Sequence, residues 1–212
     1  MKNKFNYNWL VVLLPVFFLG WYFFSSNSTE PVRTLQYFGP KKIKDPREHI
    51  IRDFSFVDQY GRVVGRKDFK GKVYVAEFFF TTCGSICPVM NRHLVNVYNR
   101  FNKHPDFKIL SHTVDPETDS VRVLLAYAKE HGVQDSTWLF VTGNKRDLYS
   151  MARQAYLLAN SETGDPDEFV HTQQFALIDR RGHIRGQYDG TDSAEVAKMM
   201  TDIDVLLETE NE

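Results

Sequence analysis

A chain of 212 residues has room for one domain of ordinary size plus appendages. With 42% hydrophobic and 25% charged residues it is globular in composition, which excludes an intrinsically disordered protein. A net charge of −1 lacks the basic footprint of a nucleic-acid binder, and two cysteines are too few for a disulfide-stapled secreted scaffold.

Lys2 and Lys4 precede an uncharged run from Trp9 to Phe24, WLVVLLPVFFLGWYFF. At a rise of about 1.5 Å per residue, residues 7–26 reach about 30 Å, the thickness of a bilayer's hydrocarbon core. Tyr7, Trp9, Trp21 and Tyr22 suit the two interfaces, and Pro15 is tolerated in a spanning helix. No further basic residue occurs before Arg33, so the positive-inside rule puts the N-terminus in the cytoplasm and the rest outside, in the periplasm or its equivalent. The following GWYFFSSNSTEP has no A-x-A-like cleavage site, which favours an uncleaved anchor over a signal peptide. Residues 1–26 are therefore read as a cytoplasmic tip and transmembrane anchor. Residues 27–49, rich in Ser, Asn, Pro and Lys, are read as a tether, 50–208 as the folded domain and 209–212 as a tail.

Beyond Ile50 strands alternate with helices. FSFVDQYGRVV (54–64) predicts two short strands around a turn at Gln59–Gly61, and VYVAEFFF (73–80) a strand buried on both faces. Glu77 inside that strand needs a partner, either an ion pair or a thiol whose proton it accepts. After Pro88 the period becomes helical, with Met90, Leu94, Val97, Tyr98 and Phe101 on one face. FKILSHTV (107–114) is a further strand. Ser120 opens a helix that buries Val121, Leu124, Leu125 and Ala128 and ends at His131–Gly132. TWLFVTG (137–143) is a third central strand, 145–158 a helix, 174–190 a hairpin turning at Arg181–Gly182, and 193–208 the last helix. The sum is a three-layer α/β domain.

Cys83 and Cys87 stand where a buried strand hands over to a helix. A helix N-terminus carries roughly half a positive charge and favours thiolate over thiol, the species that both disulfide exchange and soft-metal binding require. Pro88 fits the first turn, where its missing N–H costs nothing. The C-x-x-x-C spacing lets the sulfurs spread around a metal or close to a disulfide. Two thiolates suit Cu(I), and an added imidazole admits Cu(II) or zinc. With no further cysteines, a four-ligand structural zinc site is disfavoured.

The T-x-C-x-x-x-C-P segment after an apolar strand, TVDPETDS at 113–120, and the histidine of FVHTQQFALIDRRGHI (169–184) resemble the Sco/SenC family in order and context. The resemblance implies a thioredoxin-like fold, a membrane anchor, and a role in delivering copper to, and assembling, the copper site of cytochrome c oxidase. By that resemblance Cys83 and Cys87 are the redox-active pair and the sulfur ligands, His171 is the nitrogen ligand, and Asp115 and Asp119 are structural supports. Partners would be the copper-acceptor subunit of a terminal oxidase and a thioredoxin-like reductant. The chain departs from the commoner pattern at Gly84, Ser85 and Ile86 between the cysteines, and at Val170 and Thr172 around the histidine.

Three roles compete for these residues: a copper chaperone, a thiol–disulfide reductase that keeps an acceptor's cysteines reduced, and a peroxidase or redox sensor. The histidine in its family context favours copper. His112, on a central strand, is the best substitute ligand; His49, His104, His131 and His183 read as surface residues, His93 as solvated, and Met90 as core.

Overall fold

The computed structural model describes residue 21, residues 34–159 and residues 172–209. The expected anchor, apart from Trp21, and His171 lie outside the described residues. Among those described, no helix is long and apolar enough to cross a membrane. The chain divides into two compact units, Met1–Arg33 and Thr34–Glu212. The second carries the fold.

Seven strands form one sheet: β1 (Ser55–Asp58), β2 (Val63–Gly65), β3 (Val73–Phe79), β4 (Phe107–Thr113), β5 (Trp138–Thr142), β6 (Gln174–Ile178) and β7 (Ile184–Asp189). Their order is β2-β1-β5-β4-β3-β6-β7, with β3, β4 and β5 parallel at the centre and antiparallel hairpins on both flanks. Every residue of β3 is buried, as its continuous apolar run requires of a strand covered on both faces. The helices are α1 (Cys87–Phe101), α2 (Val121–Glu130), α3 (Lys145–Ser150, continued by a π-helical turn at Met151–Ala155) and α4 (Ser193–Thr209).

Two apolar cores result. Val73, Val75 and Phe79 point from β3 into a layer built with α1, α2 and α4, together with Cys83 and Cys87. Tyr74, Ala76 and Phe78 point the other way, toward α3 and the β1–β2 hairpin. This alternation is the period of two of a strand, and it decides which side chains can reach the thiols. On α1 the buried positions Met90, Leu94, Val97, Tyr98 and Phe101 are those predicted. On α2 only Leu124 and Ala128 are buried, because Val121 and Leu125 lie at the margin of the helix–sheet contact.

The expected tether is in part packed on the domain. Leu35 is buried, Phe38 forms a β-bridge with Ile184, and the Arg185 guanidinium donates to the carbonyls of Gln36 (3.3 Å) and Leu35 (2.9 Å). Two apolar side chains and one arginine suffice to bind a segment whose composition reads as linker. The compact unit that carries the fold thus begins at Thr34, ahead of the boundary expected at residue 50.

Candidate thiol and metal site

Strand β3 delivers the chain to a turn in which the Cys83 N–H donates to the Phe80 carbonyl at 3.1 Å. Helix α1 then starts at Cys87, with Pro88 in its first turn and no acidic residue there to oppose a thiolate. Both cysteines are free thiols, 9% and 4% exposed. Between them Gly84 and Ser85 are exposed while Ile86 is half-buried against the core, and a Cβ added at Gly84 would touch nothing within 4 Å. The thiols are therefore sheltered below a loop that is open to a partner.

Their acidities diverge. Burial pushes the Cys83 thiol up. Hydrogen bonds from the Cys87 side chain, the Ser85 and Cys87 backbone and the Ser85 hydroxyl (3.8 Å from Sγ) outweigh it, and the thiol ends below its ordinary value. Cys87 goes well above its ordinary value through burial first, then its hydrogen bond to Cys83 and the charges of Cys83 and Glu77. Cys83 is thus the more acidic member of the pair. At pH 7, iodoacetamide should label Cys83 in the reduced protein at least about tenfold faster than Cys87, one pKa unit being a factor of ten. Peptide mass spectrometry over a time course measures this, and equal rates would contradict the assignment.

Beneath the pair lies a polar pocket in the sheet–helix core. Glu77 is fully buried on the cysteine face of β3. Ser111 Oγ donates to Glu77 Oε1 at 2.6 Å, and Trp138 Nε1 donates to Ser111 Oγ at 2.8 Å. Among the described residues Glu77 Oε2 has no hydrogen-bond partner and no cation pairs with the group, so none of them forms the ion pair considered from sequence. Burial pushes this carboxyl up to about 7, only partly offset by the Ser111 bond. Above it the Tyr127 ring stacks on Phe79 (5.3 Å between centroids), and Asn91 Nδ2 donates to Tyr127 Oη at 2.5 Å.

Asp119 holds the front of the loop. Completely buried, it accepts from Thr81 Oγ1 (2.5 Å), the Thr81 N–H (3.2 Å) and Thr113 Oγ1 (2.5 Å). Thr113 Oγ1 in turn accepts the Asp115 N–H at 2.9 Å. One carboxylate therefore ties the TVDPETDS loop to the residues just ahead of Cys83. Asp115 acts through its backbone, its carbonyl accepting the N–H groups of Thr118 and Asp119.

His112 does not reach the thiols, because it points to the opposite face of the sheet. Its ring stacks on Phe78 at 4.7 Å and packs edge-on against Phe56 and Tyr156, with Nδ1 against the Glu77 backbone oxygen at 3.1 Å. Burial pushes it down to about 4 and keeps it neutral. His183 is also not a surface residue: it is buried and paired with Asp179 at 3.1 Å. His93, expected to be solvated, is half-buried with Nδ1 2.8 Å from the Gly190 carbonyl.

Thr172, the chain neighbour of His171, lines a small hollow of about 10 Å³ together with Cys83, Cys87, Ile86 and Val114. The Thr172 hydroxyl accepts the Gln174 N–H at 3.1 Å as the chain enters β6. Among the described residues, no cluster of three His, Cys, Asp or Glu side chains could hold a metal. The sequence did not single out Asn91 or Tyr127, and it marked Ser85 only as a departure from the commoner family loop. The signal for Tyr127 was its place three residues after Leu124, on the edge of the apolar face of α2.

Comparison with known proteins gives the family and the fold. The family model SCO1/SenC matches residues 43–208. The SCO1 protein homolog of Bacillus subtilis is 28% identical over 167 residues, covering 78% of this chain and 86% of that protein. A SCO1/SenC family lipoprotein from Bacillus anthracis superimposes with a TM-score of 0.67 at 27% identity, covering 76% of this chain and 96% of that one. Arabidopsis thaliana ScoI, solved with copper bound, superimposes with a TM-score of 0.57 at 25% identity, covering 74% and 97%.

Proposed function

This chain belongs to the SCO1/SenC family, with the thioredoxin-like α/β fold of its solved members, and from that premise we propose that it binds copper through Cys83, Cys87 and His171. It delivers the ion to the acceptor subunit of a terminal oxidase and helps assemble the copper site of cytochrome c oxidase. The observation that carries this reading is the shared hollow: two sheltered thiols and the residue next to His171 meet under a loop open to solvent. The copper-bound Arabidopsis relative supports it. Residues 1–26 anchor the chain in the membrane, 27–33 link it, and the domain works on the extracytoplasmic side.

Copper is cargo, so the chain must hold it and yet let it go. Two thiolates satisfy Cu(I), whereas Cu(II) requires the added nitrogen of His171 and a fuller shell. A ligand that joins from the segment before β6 can leave first when an acceptor offers its own donors.

The unequal acidity of the two thiols favours a second reading, reduction of an acceptor disulfide. The Cys83 thiolate attacks one acceptor sulfur and displaces the other as a thiolate, which takes up a proton. Cys87, after losing its proton, then attacks Cys83 in the mixed disulfide, and the second acceptor thiol leaves. Two electrons pass to the acceptor, the Cys83–Cys87 disulfide forms, and a thioredoxin-like reductant restores the pair.

The test is a competition titration of Cu(I) and Cu(II) on reduced full-length protein, wild type, His171→Ala and His112→Ala. One copper per wild-type chain is expected. His171→Ala should lose Cu(II) affinity by more than the roughly 10–100-fold typical of outer-shell changes, Cu(I) should fall less, and His112→Ala should bind normally. Failure of wild type to hold either copper state would put the reductase reading first.

A further inference from the structure

A second concave site lies at the opposite end of the sheet from the thiols. β3 is seven residues long, about 20 Å, and Cys83 follows its carboxyl end. At its amino end a cavity of about 430 Å³ opens between the loop before β3 and the β6–β7 turn. Arg66, Lys67, Lys70, Arg180 and Arg181 line it against a single acid, Asp53, over a floor of Ile51, Phe69 and Tyr74. A chain with 26 basic and 27 acidic residues thus gathers five cations around one basin.

Of the five cations only Arg180 is held by a half-buried acid, Asp106 at 2.9 Å, and the other neighbouring acids are engaged elsewhere. Asp68 accepts the Gly65 N–H, Asp106 holds Lys72 and Arg180, and Asp179 holds His183 and Arg185. Arg66 meets Asp53 only at 3.9 Å, with the carboxylate almost fully in solvent. Lys67, Lys70 and Arg181 carry no ion pair among the described residues. Beside the basin Ile50 lies against Gly182 and is 41% exposed, one of only four large apolar side chains so exposed among the described residues.

The place where the folded unit begins points to an occupant. The segment after Thr34 packs at the start of β7, where Phe38 bridges Ile184 and Arg185 binds Leu35 and Gln36. Ile184 pairs with Ile178, and Ile178 with Tyr74, so this is the basin's end of the sheet. Nine residues, 25–33, separate the apolar run from Thr34, and fully extended they reach about 30 Å.

We propose that the basic basin seats anionic phospholipid headgroups, with Ile50 dipping among them, so that the anchored domain turns its thiol loop away from the bilayer. The proposal rests on the membrane-anchor reading. Phosphate groups complement the unpaired cations, a short linker keeps them at hand, and a basic rim around an apolar side chain is the composition of an interfacial contact.

The full-length chain is reconstituted in phosphatidylcholine vesicles and in phosphatidylcholine–phosphatidylglycerol vesicles, and amide hydrogen exchange is followed at residues 66–71 and 179–183. Slower exchange is expected in the anionic vesicles only. It should be lost on raising salt from about 0.1 to about 0.5 M, and lost in Lys67→Gln/Lys70→Gln/Arg181→Gln. All three side chains are exposed, and Lys67→Gln/Lys70→Gln alone should show part of the loss. Equal exchange in both vesicles overturns the proposal while leaving the anchor standing, provided carbonate washing retains the chain on both. A chain washed from both overturns the anchor reading and this proposal with it. Equal slowing by inorganic phosphate over phosphatidylcholine vesicles overturns the lipid assignment in favour of a soluble anion.

Discussion

Oxidation of the protein to a Cys83–Cys87 disulfide is expected to abolish copper binding, and reduction to restore it. Both thiols line one small hollow, close enough for each to shift the other's acidity, and the loop between them is unconfined at Gly84. Closing the bond removes two electrons and two protons and takes from the metal the thiolates it would bind. Cys83→Ser/Cys87→Ser should lose Cu(I) affinity by far more than the roughly 100-fold that an outer-shell defect brings, since it removes both soft ligands at once. Copper competition on protein whose thiol content has been counted by mass spectrometry makes the comparison. Tight binding by the oxidised form would take the sulfurs out of the ligand set.

The second large effect is one that cancels in the wild type. Glu77 has an ordinary value of 4.5, raised to about 7 by burial. Below pH 4.5 it is protonated folded or unfolded. Between 4.5 and about 7 the unfolded chain releases that proton while the folded chain keeps it, so stability falls as pH rises. His112 is the opposite case, lowered from 6.5 to about 4. As pH falls from 6.5 to about 4 the unfolded chain takes up a proton that the folded chain refuses, so stability falls as pH falls. Each excursion spans about 2.5 pKa units, on the order of 3 kcal/mol. The two slopes oppose each other from about pH 4.5 to 6.5. Urea unfolding of the reduced protein should therefore give a nearly flat profile in that window. Glu77→Gln should expose a rise with pH of about 3 kcal/mol between pH 4 and 6.5, and His112→Phe a fall with pH from 4.5 to 7. An unchanged profile in both variants would mean that neither group is held neutral by its burial.

Those two residues also mark how far the sequence could be read. Strand and helix order from residue 54 to 208 followed from periodicity, because β3 is uniformly apolar and α1 has a clean apolar face. The place of Cys83 and Cys87 followed from the switch of period at Pro88. Residue spacing could not say which face of β4 His112 occupies, since a single-residue change of phase moves a side chain through the sheet. Ser111 reaches Glu77 whereas His112 meets Phe78, and only the strand register decides this. The need of Glu77 for a partner was visible, but the hydroxyl of Ser111 on the neighbouring strand was not, because strand pairing joins residues distant in sequence. Leu35 and Phe38 escaped notice for another reason: two apolar residues in a polar stretch carry no period. The role of Asp119 was suggested only by the resemblance, and its three donors give that suggestion a physical basis.

The margins of the sheet have a consequence for crowding. Copies confined to one plane meet far more often, and in fewer orientations, than copies in bulk, and a bare strand edge would let them zip together. Here one margin is β2, only three residues long, and the other is β7, over which Phe38 lays a single bridge. β2 is too short to offer a long ladder, and the bridge covers β7 at Ile184. If residues 1–26 anchor the chain as proposed, the segment that leads toward the bilayer is also the one that bridges β7, so a chain cut between Phe38 and Ile50 would lose its membrane link and that cover on β7 together.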